Sequence, residues 1–140
     1  MTPLNHEQKH NIVERIQFIQ LELEDFLNYS HLDWQTYQQN RDTRRNVERM
    51  IENIANASID ICKIILAGES VTIPSTYQEI ILKLSEIGMM SDELTKKLAL
   101  IAKSRNVLAH QYLDLRWDLI KTLLKEIPQT IPKFINAVKL

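Results

Sequence analysis

The feature that most constrains this fold is the scarcity of residues at which a chain can turn. The 140 residues include only 2 glycines and 4 prolines. Folds built of many short strands need glycine and proline at their frequent tight turns. A chain with so few of them favours long helices joined by short loops. The length suits one domain with a single hydrophobic core.

Apolar residues recur at three- and four-residue intervals along most of the chain, as one face of an α-helix requires. This pattern predicts helices over residues 5–29 and 41–67, with a connection and a short helical turn over residues 30–40. Further apolar stripes lie on both sides of residues 104–112. We therefore predict an all-α antiparallel bundle of four to six helices, forming a single domain over residues 1–140.

Capping and helix-breaking residues predict where the shorter helices begin and end. Ser75 has the position of an N-cap in a capping box, and Gly88 has that of a helix stop. Pro128 and Pro132 are expected to end the last long helix, because proline inside a helix lacks the amide donor. Thr130 would then cap a short final helix.

Composition and charge exclude several kinds of protein. The formal net charge is −1, so any contact with nucleic acid requires a local basic patch. Cys62 is the only cysteine; it is predicted to be a small buried hydrophobe, and it excludes a disulfide framework. His6 and His10 have no third ligand for a metal site. No apolar segment resembles a signal peptide or reaches the roughly 20 residues that span a bilayer, so we expect a cytoplasmic protein.

The chemistry-bearing stretch is residues 104–112, at the end of a strongly helical segment. It contains Arg105, then His110 five residues later, and Tyr112 two residues beyond that. A guanidinium can hold a phosphate through two parallel hydrogen bonds, and an imidazole exchanges protons near neutral pH. This pair is sufficient for RNA cleavage without a metal, with the histidine moving a proton and the arginine stabilising charge on phosphorus.

Helix geometry leaves two arrangements open for this pair. Five residues of regular helix turn by roughly 500°, which places Arg105 and His110 about 140° apart around one axis. Either the helix loosens near Ala109, or the site is shared by two copies of the chain across a two-fold axis. We favour the second, because a homodimer would bring two arginines and two histidines into one cleft.

Four sequence segments resemble the HEPN superfamily in the form found in HepT toxins, over about residues 8–125. They are Arg105-x4-His110-x-Tyr112, Arg41-Asp42-x2-Arg45-x-Val47-Glu48-Arg49-Met50, Pro74-Ser75-x-Tyr77 and Leu84-x-Glu86-x-Gly88. The resemblance implies a HEPN-like bundle and a metal-independent endoribonuclease that needs no cofactor and cleaves tRNA or mRNA. His110 would be the general base or acid, and Arg105 would hold the scissile phosphate. Asn106 would donate to that phosphate, or else form a local helix-end hydrogen bond.

The resemblance also implies a means of regulation. In HepT proteins the tyrosine matching Tyr112 receives AMP from a partner antitoxin, a minimal nucleotidyltransferase of the MntA type. Nothing in this chain resembles that enzyme, so the modifying enzyme would be a separate protein. A structural role for Tyr112, packing at the dimer interface, stays open.

A local surplus of positive charge is the candidate RNA-binding surface. It comprises Arg41, Arg45 and Arg49 on the long helix, with Lys103 near the motif. Asp42 is a candidate for orienting the catalytic histidine. These charges could instead form surface ion pairs at helical spacing.

Two other classes of protein stay open. One is a catalytically silent HEPN-type module that recruits a nucleotidyltransferase or RNA, and that binds without cleaving. The other is a helical dimerisation protein, in which the motif residues would be buried or dispersed.

Overall fold

Six α-helices and no strand make up the part of the chain that the structure describes. The computed structural model describes residues 4–69, 71–109 and 112–140. The helices are α1 (His6–Phe26), α2 (Trp34–Gln39), α3 (Arg41–Gly68), α4 (Tyr77–Glu86), α5 (Asp92–Val107) and α6 (Leu113–Val138), and a 3₁₀ turn, Leu27–Tyr29, follows α1. The predicted all-α fold is confirmed, with the number of helices at the upper end of the expected range.

The four long helices form a ring in which α1 packs on α3, α3 on α5, α5 on α6, and α6 on α1. Two polar contacts show that α1 and α3 run antiparallel. Arg15 lies 3.8 Å from Asp60, and further along α1 the carboxylate of Glu22 accepts a hydrogen bond of 3.2 Å from Asn53, which lies earlier in α3. Lys97 lies 3.0 Å from Glu126 between α5 and α6. The short helix α4 covers α3 and α5, and α2 lies against α3 and α6.

Helix α3 supplies much of the core, because its buried side chains face α1 on one side and α4 and α5 on the other. Twelve of its residues are buried, and at 1.5 Å per residue it is about 42 Å long. Cys62 lies on its buried face, and burial raises the pKa of the Cys62 thiol to about 12. The prediction that Cys62 is a buried hydrophobe is therefore confirmed.

Side-chain caps begin most of the helices. In α1, Asn5 and Gln8 form a reciprocal capping box, with hydrogen bonds of 2.8 and 2.9 Å. Asp33, Asn40 and Ser91 cap α2, α3 and α5. These bonds satisfy amide donors that a helix start leaves unpaired.

The predicted start of α4 at Ser75 is wrong by one residue. The N-cap is Thr76, whose hydroxyl accepts the amide of Glu79 at 3.3 Å. Both positions have capping chemistry, and the one used makes Tyr77 the first residue of the helix. The predicted stop is confirmed: Gly88 has a φ of 82°, a left-handed conformation that suits glycine.

The predicted end of the last long helix is also wrong. Helix α6 continues through Pro128 and Pro132 to Val138, and Thr130 is buried inside it rather than capping a new helix. Each proline costs a helix about 3 kcal/mol. The buried side chains around and beyond the prolines contribute roughly 1.5–3 kcal/mol each, and they are Ile127, Ile131, Phe134, Ile135 and Val138. Their burial outweighs the lost hydrogen bonds.

Candidate active site

The predicted motif lies where α5 ends and α6 begins. The amide of Leu108 donates to the carbonyl of Ser104 at 2.9 Å, which closes the last turn of α5. Tyr112 is the N-cap of α6. Because α5 ends at Val107, the 140° separation calculated for one straight helix does not apply. The regular helix therefore ends before Ala109, which agrees with the first of the two arrangements, a helix that loosens near Ala109. The second arrangement, a site shared by two copies of the chain, stays a prediction.

His110, the predicted general base or acid, lies outside the described residues. The site is therefore defined by the residues on either side of it. Ser104 is fully buried, whereas Arg105 and Asn106 are exposed. The end of α5 thus presents the arginine and the asparagine to solvent while its apolar face stays in the core.

One aromatic ring on α4 contacts both Arg105 and Asn106. The Cζ of Arg105 lies over the ring of Tyr77, 6.0 Å from its centroid. The Nδ2 of Asn106 donates a hydrogen bond of 2.7 Å to the Tyr77 hydroxyl oxygen. Tyr77 belongs to the segment Pro74-Ser75-x-Tyr77 that resembles HepT toxins, but sequence reasoning assigned this tyrosine no role. Its contacts with Arg105 and Asn106 become visible only when α4 packs on α5.

The charge of Arg105 has no acidic partner in residues 4–69, 71–109 and 112–140. Every ion pair within these ranges involves other side chains. A cation over an aromatic face keeps its charge, since the ring attracts it without neutralising it. Arg105 can therefore accept an anion such as a phosphate.

Tyr112 is the most exposed of the large apolar and aromatic side chains in the described ranges, at 71%. It has no hydrogen bond from its hydroxyl to any described residue. A phenol in this position is accessible to another protein. The side chain is not among the partly buried side chains that pack against the core.

An ion pair that sequence reasoning missed ties the start of α6 to α3. The Nε of Arg116 lies 3.4 Å from Glu48 Oε2, and the two side chains are only 16% and 17% exposed. The hydroxyl of Tyr37 donates to the same carboxylate oxygen. Burial, and then the Glu48 carboxylate, raise the pKa of Tyr37. No local pattern pairs residues 48 and 116, because they are distant in sequence.

The same contacts fix the position of the motif. The amide of Arg116 donates to the carbonyl of Tyr112 at 3.2 Å, so the ion pair lies one helical turn after the motif tyrosine. Trp117, the next residue, packs on Tyr37 with ring centroids 5.2 Å apart. The end of α5, the start of α6 and the start of α3 therefore lie at the same end of the bundle.

Two of the predicted RNA-binding arginines lie on α3 near its contact with the start of α6. Arg41 and Arg45 are exposed on the first turns of α3. At 100° per residue they lie about 40° apart, beside the face on which Glu48 meets α6. Asp42 is exposed in the first turn of α3. Its predicted role, orienting His110, stays a prediction because His110 lies outside the described residues.

The other basic residues have different surroundings. Arg49 lies 3.5 Å from Glu52 and shares a surface cleft with Glu22 and Asp25. Lys103 is exposed on α5, about 200° around the helix from Arg105. Arg44, in contrast, has a structural role: its Nη1 donates to the carbonyls of Tyr37 and Gln38.

Within the described ranges, no cluster of three or more histidine, cysteine, aspartate or glutamate side chains could hold a metal ion. No helix in those ranges combines the length and the apolar character needed to cross a membrane.

Sequence comparison identifies the family. The family model described as ribonuclease HepT-like matches residues 19–138. The chain belongs to the HepT-like family. The resemblance inferred from the four sequence segments is therefore confirmed, and its extent is similar to that match. Among curated proteins, none matches the chain.

Solved structures share the fold of this HepT-like chain. One is from a mutant MntA–HepT toxin–antitoxin complex, with a TM-score of 0.81 and 19% identity, covering 92% of this chain and 97% of the other. A second is from a tri-AMPylated HEPN toxin of Shewanella oneidensis in complex with an MNT antitoxin, with a TM-score of 0.79, 19% identity and coverages of 91% and 96%. A third, from a toxin–antitoxin complex with AMP-PNP, has a TM-score of 0.80, 19% identity and coverages of 92% and 98%. At this identity the likeness shows a common fold.

Proposed function

We propose that this HepT-like protein is the toxin of a toxin–antitoxin system and acts as a metal-independent endoribonuclease in the cytoplasm. The observation that carries the proposal is the environment of Arg105. Its guanidinium is exposed, lies over the Tyr77 ring, and has no carboxylate partner among the described residues. A cation held in this way, five residues before a histidine, suits the binding of an RNA phosphate.

The proposed reaction is an internal transesterification. One His110 takes the proton from the 2′-hydroxyl, and the 2′-oxygen attacks phosphorus while the bond to the 5′-oxygen breaks. A second His110 protonates that leaving oxygen, so that no net proton is gained or lost. Arg105 stabilises the negative charge that builds on the phosphoryl oxygens. The products are a 2′,3′-cyclic phosphate and a 5′-hydroxyl.

The two roles of His110 are the reason for proposing a homodimer. A base and an acid must act on opposite sides of the phosphorus, and one chain supplies a single motif histidine. Two copies related by a two-fold axis would supply both, together with two copies of Arg105. Arg41 and Arg45, which are exposed on the first turns of α3, would bind the RNA backbone beside the cleft.

Neutralisation is proposed to occur at Tyr112. Its exposed phenol oxygen would attack the α-phosphorus of ATP on a partner nucleotidyltransferase of the MntA type, releasing pyrophosphate and the phenol proton. The new phosphodiester and adenosine would lie near Arg105. They would repel the RNA backbone and occupy part of its cleft.

The test is to incubate the purified protein and its His110→Ala variant with total RNA in excess EDTA. We expect new RNA ends carrying cyclic phosphates with the wild type only. Cleavage by both proteins at equal rates would contradict the role of His110. If the wild type is inactive, the intact mass decides: AMP on Tyr112 indicates a neutralised toxin, and removal of the AMP should then restore cleavage.

The alternative is a silent HEPN-type module that binds a nucleotidyltransferase or RNA. It predicts an unmodified protein that binds RNA without cutting it, and whose binding is unchanged by His110→Ala. The unpaired charge of Arg105 fits this alternative as well, so the cleavage assay separates the two.

A further inference from the structure

We propose that Tyr77 is a positioning residue for the phosphate-binding groups Arg105 and Asn106. This inference rests on the proposed ribonuclease function and adds to it a residue to which no role was assigned. The observation that carries it is that a single ring touches both groups, which are adjacent on α5. The contacts involve two different parts of the tyrosine, the π-face and the hydroxyl.

The ring is itself held in place. Tyr77 is the first residue of α4, whose start is fixed by the bond between Thr76 and Glu79. Its side chain is half-buried against the core, and α4 packs on both α3 and α5. A side chain anchored in this way can restrict a more mobile neighbour.

Arg105 is such a neighbour. An exposed arginine on the last turn of a helix samples many rotamers, and ordering it around the reacting phosphate in the transition state costs conformational entropy. Contact with the face of Tyr77 restricts the guanidinium before RNA arrives, while the N–H groups at its edge stay free for phosphate oxygens. The ring thus contributes preorganisation rather than a reacting atom.

Asn106 is oriented by the hydroxyl of the same tyrosine. One N–H of its amide donates to Tyr77, which leaves the second N–H to donate elsewhere. The bond joins two helices, so it is not the local helix-end hydrogen bond that the sequence left open. The tyrosine therefore sets the relative positions of two donors meant for one phosphate.

Two substitutions separate the ring from the hydroxyl. In Tyr77→Leu both contacts are lost, and we expect kcat for RNA cleavage to fall by about 10- to 100-fold, since small misplacements in a site reach that size. KM should change much less. Tyr77→Phe keeps the ring and should lose only about 3- to 10-fold, the size of effect expected from one lost hydrogen bond. Tyr29→Leu, which truncates another half-buried tyrosine packed against the core, is the matched control and should keep the wild-type rate.

A double-mutant cycle tests the hydrogen bond. If the Tyr77 hydroxyl acts through Asn106, then Asn106→Ala combined with Tyr77→Phe should be no slower than Asn106→Ala alone. Multiplied effects in the double variant would overturn this part of the proposal. So would equal losses in Tyr77→Leu and Tyr29→Leu, because they would indicate a purely structural role.

A second measurement does not depend on ribonuclease activity. The Nε–H resonance of Arg105 in a ¹H–¹⁵N spectrum should carry a ring-current shift from Tyr77. We expect the shift to persist in Tyr77→Phe and to disappear in Tyr77→Leu. If the shift is present but the protein without AMP on Tyr112 cuts no RNA, the function is wrong and the positioning stands. If the wild type lacks the shift, the positioning is wrong.

Discussion

At the residue scale, the arginines show that surroundings rather than residue type decide what a side chain does. Arg116 is mostly buried and pairs with Glu48, so its charge holds two helices together. Arg44 donates to backbone carbonyls beside α2. Arg105 has neither kind of partner in the described ranges and rests on an aromatic ring. Of these three environments, the third is the one that leaves a cation free for a substrate.

Cys62 provides a prediction at this scale. Burial raises the pKa of its thiol to about 12 from an ordinary value of 9.0. Between those two values the unfolded chain binds fewer protons than the folded chain, so the free energy of unfolding decreases as pH rises. Below about pH 9 the thiol has no effect on the pH dependence. Native protein should also react slowly with thiol reagents.

The measurement is chemical denaturation of the wild type and Cys62→Ala at several values between pH 8 and about 11. We expect the wild type to lose stability more steeply than the variant above pH 9. Parallel curves for the two proteins would contradict a thiol that stays protonated in the fold.

At the element scale, the start of α4 and the end of α5 decide which side chains meet at the candidate site. The start of α4 at Thr76 places Tyr77 on its first turn, where it meets α5. The end of α5 at Val107 places Arg105 on its last turn, where a cation also interacts favourably with the helix dipole. The ring of Tyr77 and the side chain of Arg105 therefore lie close together.

The first turns of α3 provide a prediction at this scale. Arg41 and Arg45 are exposed beside the junction with α6, whereas Arg49 pairs with Glu52. We expect Arg41→Gln and Arg45→Gln each to weaken RNA binding for all sequences alike and to reduce the salt dependence by about one released counterion. Arg49→Gln is the matched control and should have a smaller effect, because its charge is already partly neutralised.

The measurement is the affinity for a non-cleavable RNA at several salt concentrations. Equal effects of the three substitutions would show that the ion pair with Glu52 opens on binding. No effect of Arg41→Gln or Arg45→Gln would remove this face of α3 from the RNA-binding surface.

At the scale of the whole molecule, several helix ends meet around the motif. The contact of Tyr77 with Asn106 brings the start of α4 to the end of α5. The ion pair of Glu48 with Arg116 brings the start of α3 to the start of α6. The antiparallel ring of long helices makes this possible, because alternate helices begin at the same end.

If the active site is shared by two copies of the chain, the activity of a mixed dimer should not be proportional to its number of wild-type subunits. We expect a heterodimer of wild type with His110→Ala to keep less than half of the activity of the wild-type dimer, since the base and the acid would come from different copies. The measurement uses differently tagged subunits, with tagged wild-type dimers as the control. Activity in proportion to the number of wild-type subunits would show that each copy works alone.

The sequence by itself determined the fold class and the family. The scarcity of glycine and proline and the helical spacing of apolar residues predicted an all-α bundle, because both are local constraints on the backbone. The segments around Arg105, Tyr112 and Arg41 predicted the family that the match over residues 19–138 confirms. Local chemistry alone could not choose between Ser75 and Thr76 as the cap of α4.

The tertiary structure decided what depends on contacts between distant residues. Burial on both sides of Pro128 and Pro132 keeps α6 continuous, although each proline locally opposes it. The pairing of Glu48 with Arg116 and the contacts of Tyr77 with Arg105 join segments that are distant in sequence. Periodicity and capping patterns record which face of a helix is buried, but not which side chain of another helix it meets. The surroundings of the motif therefore became visible only in the packed bundle.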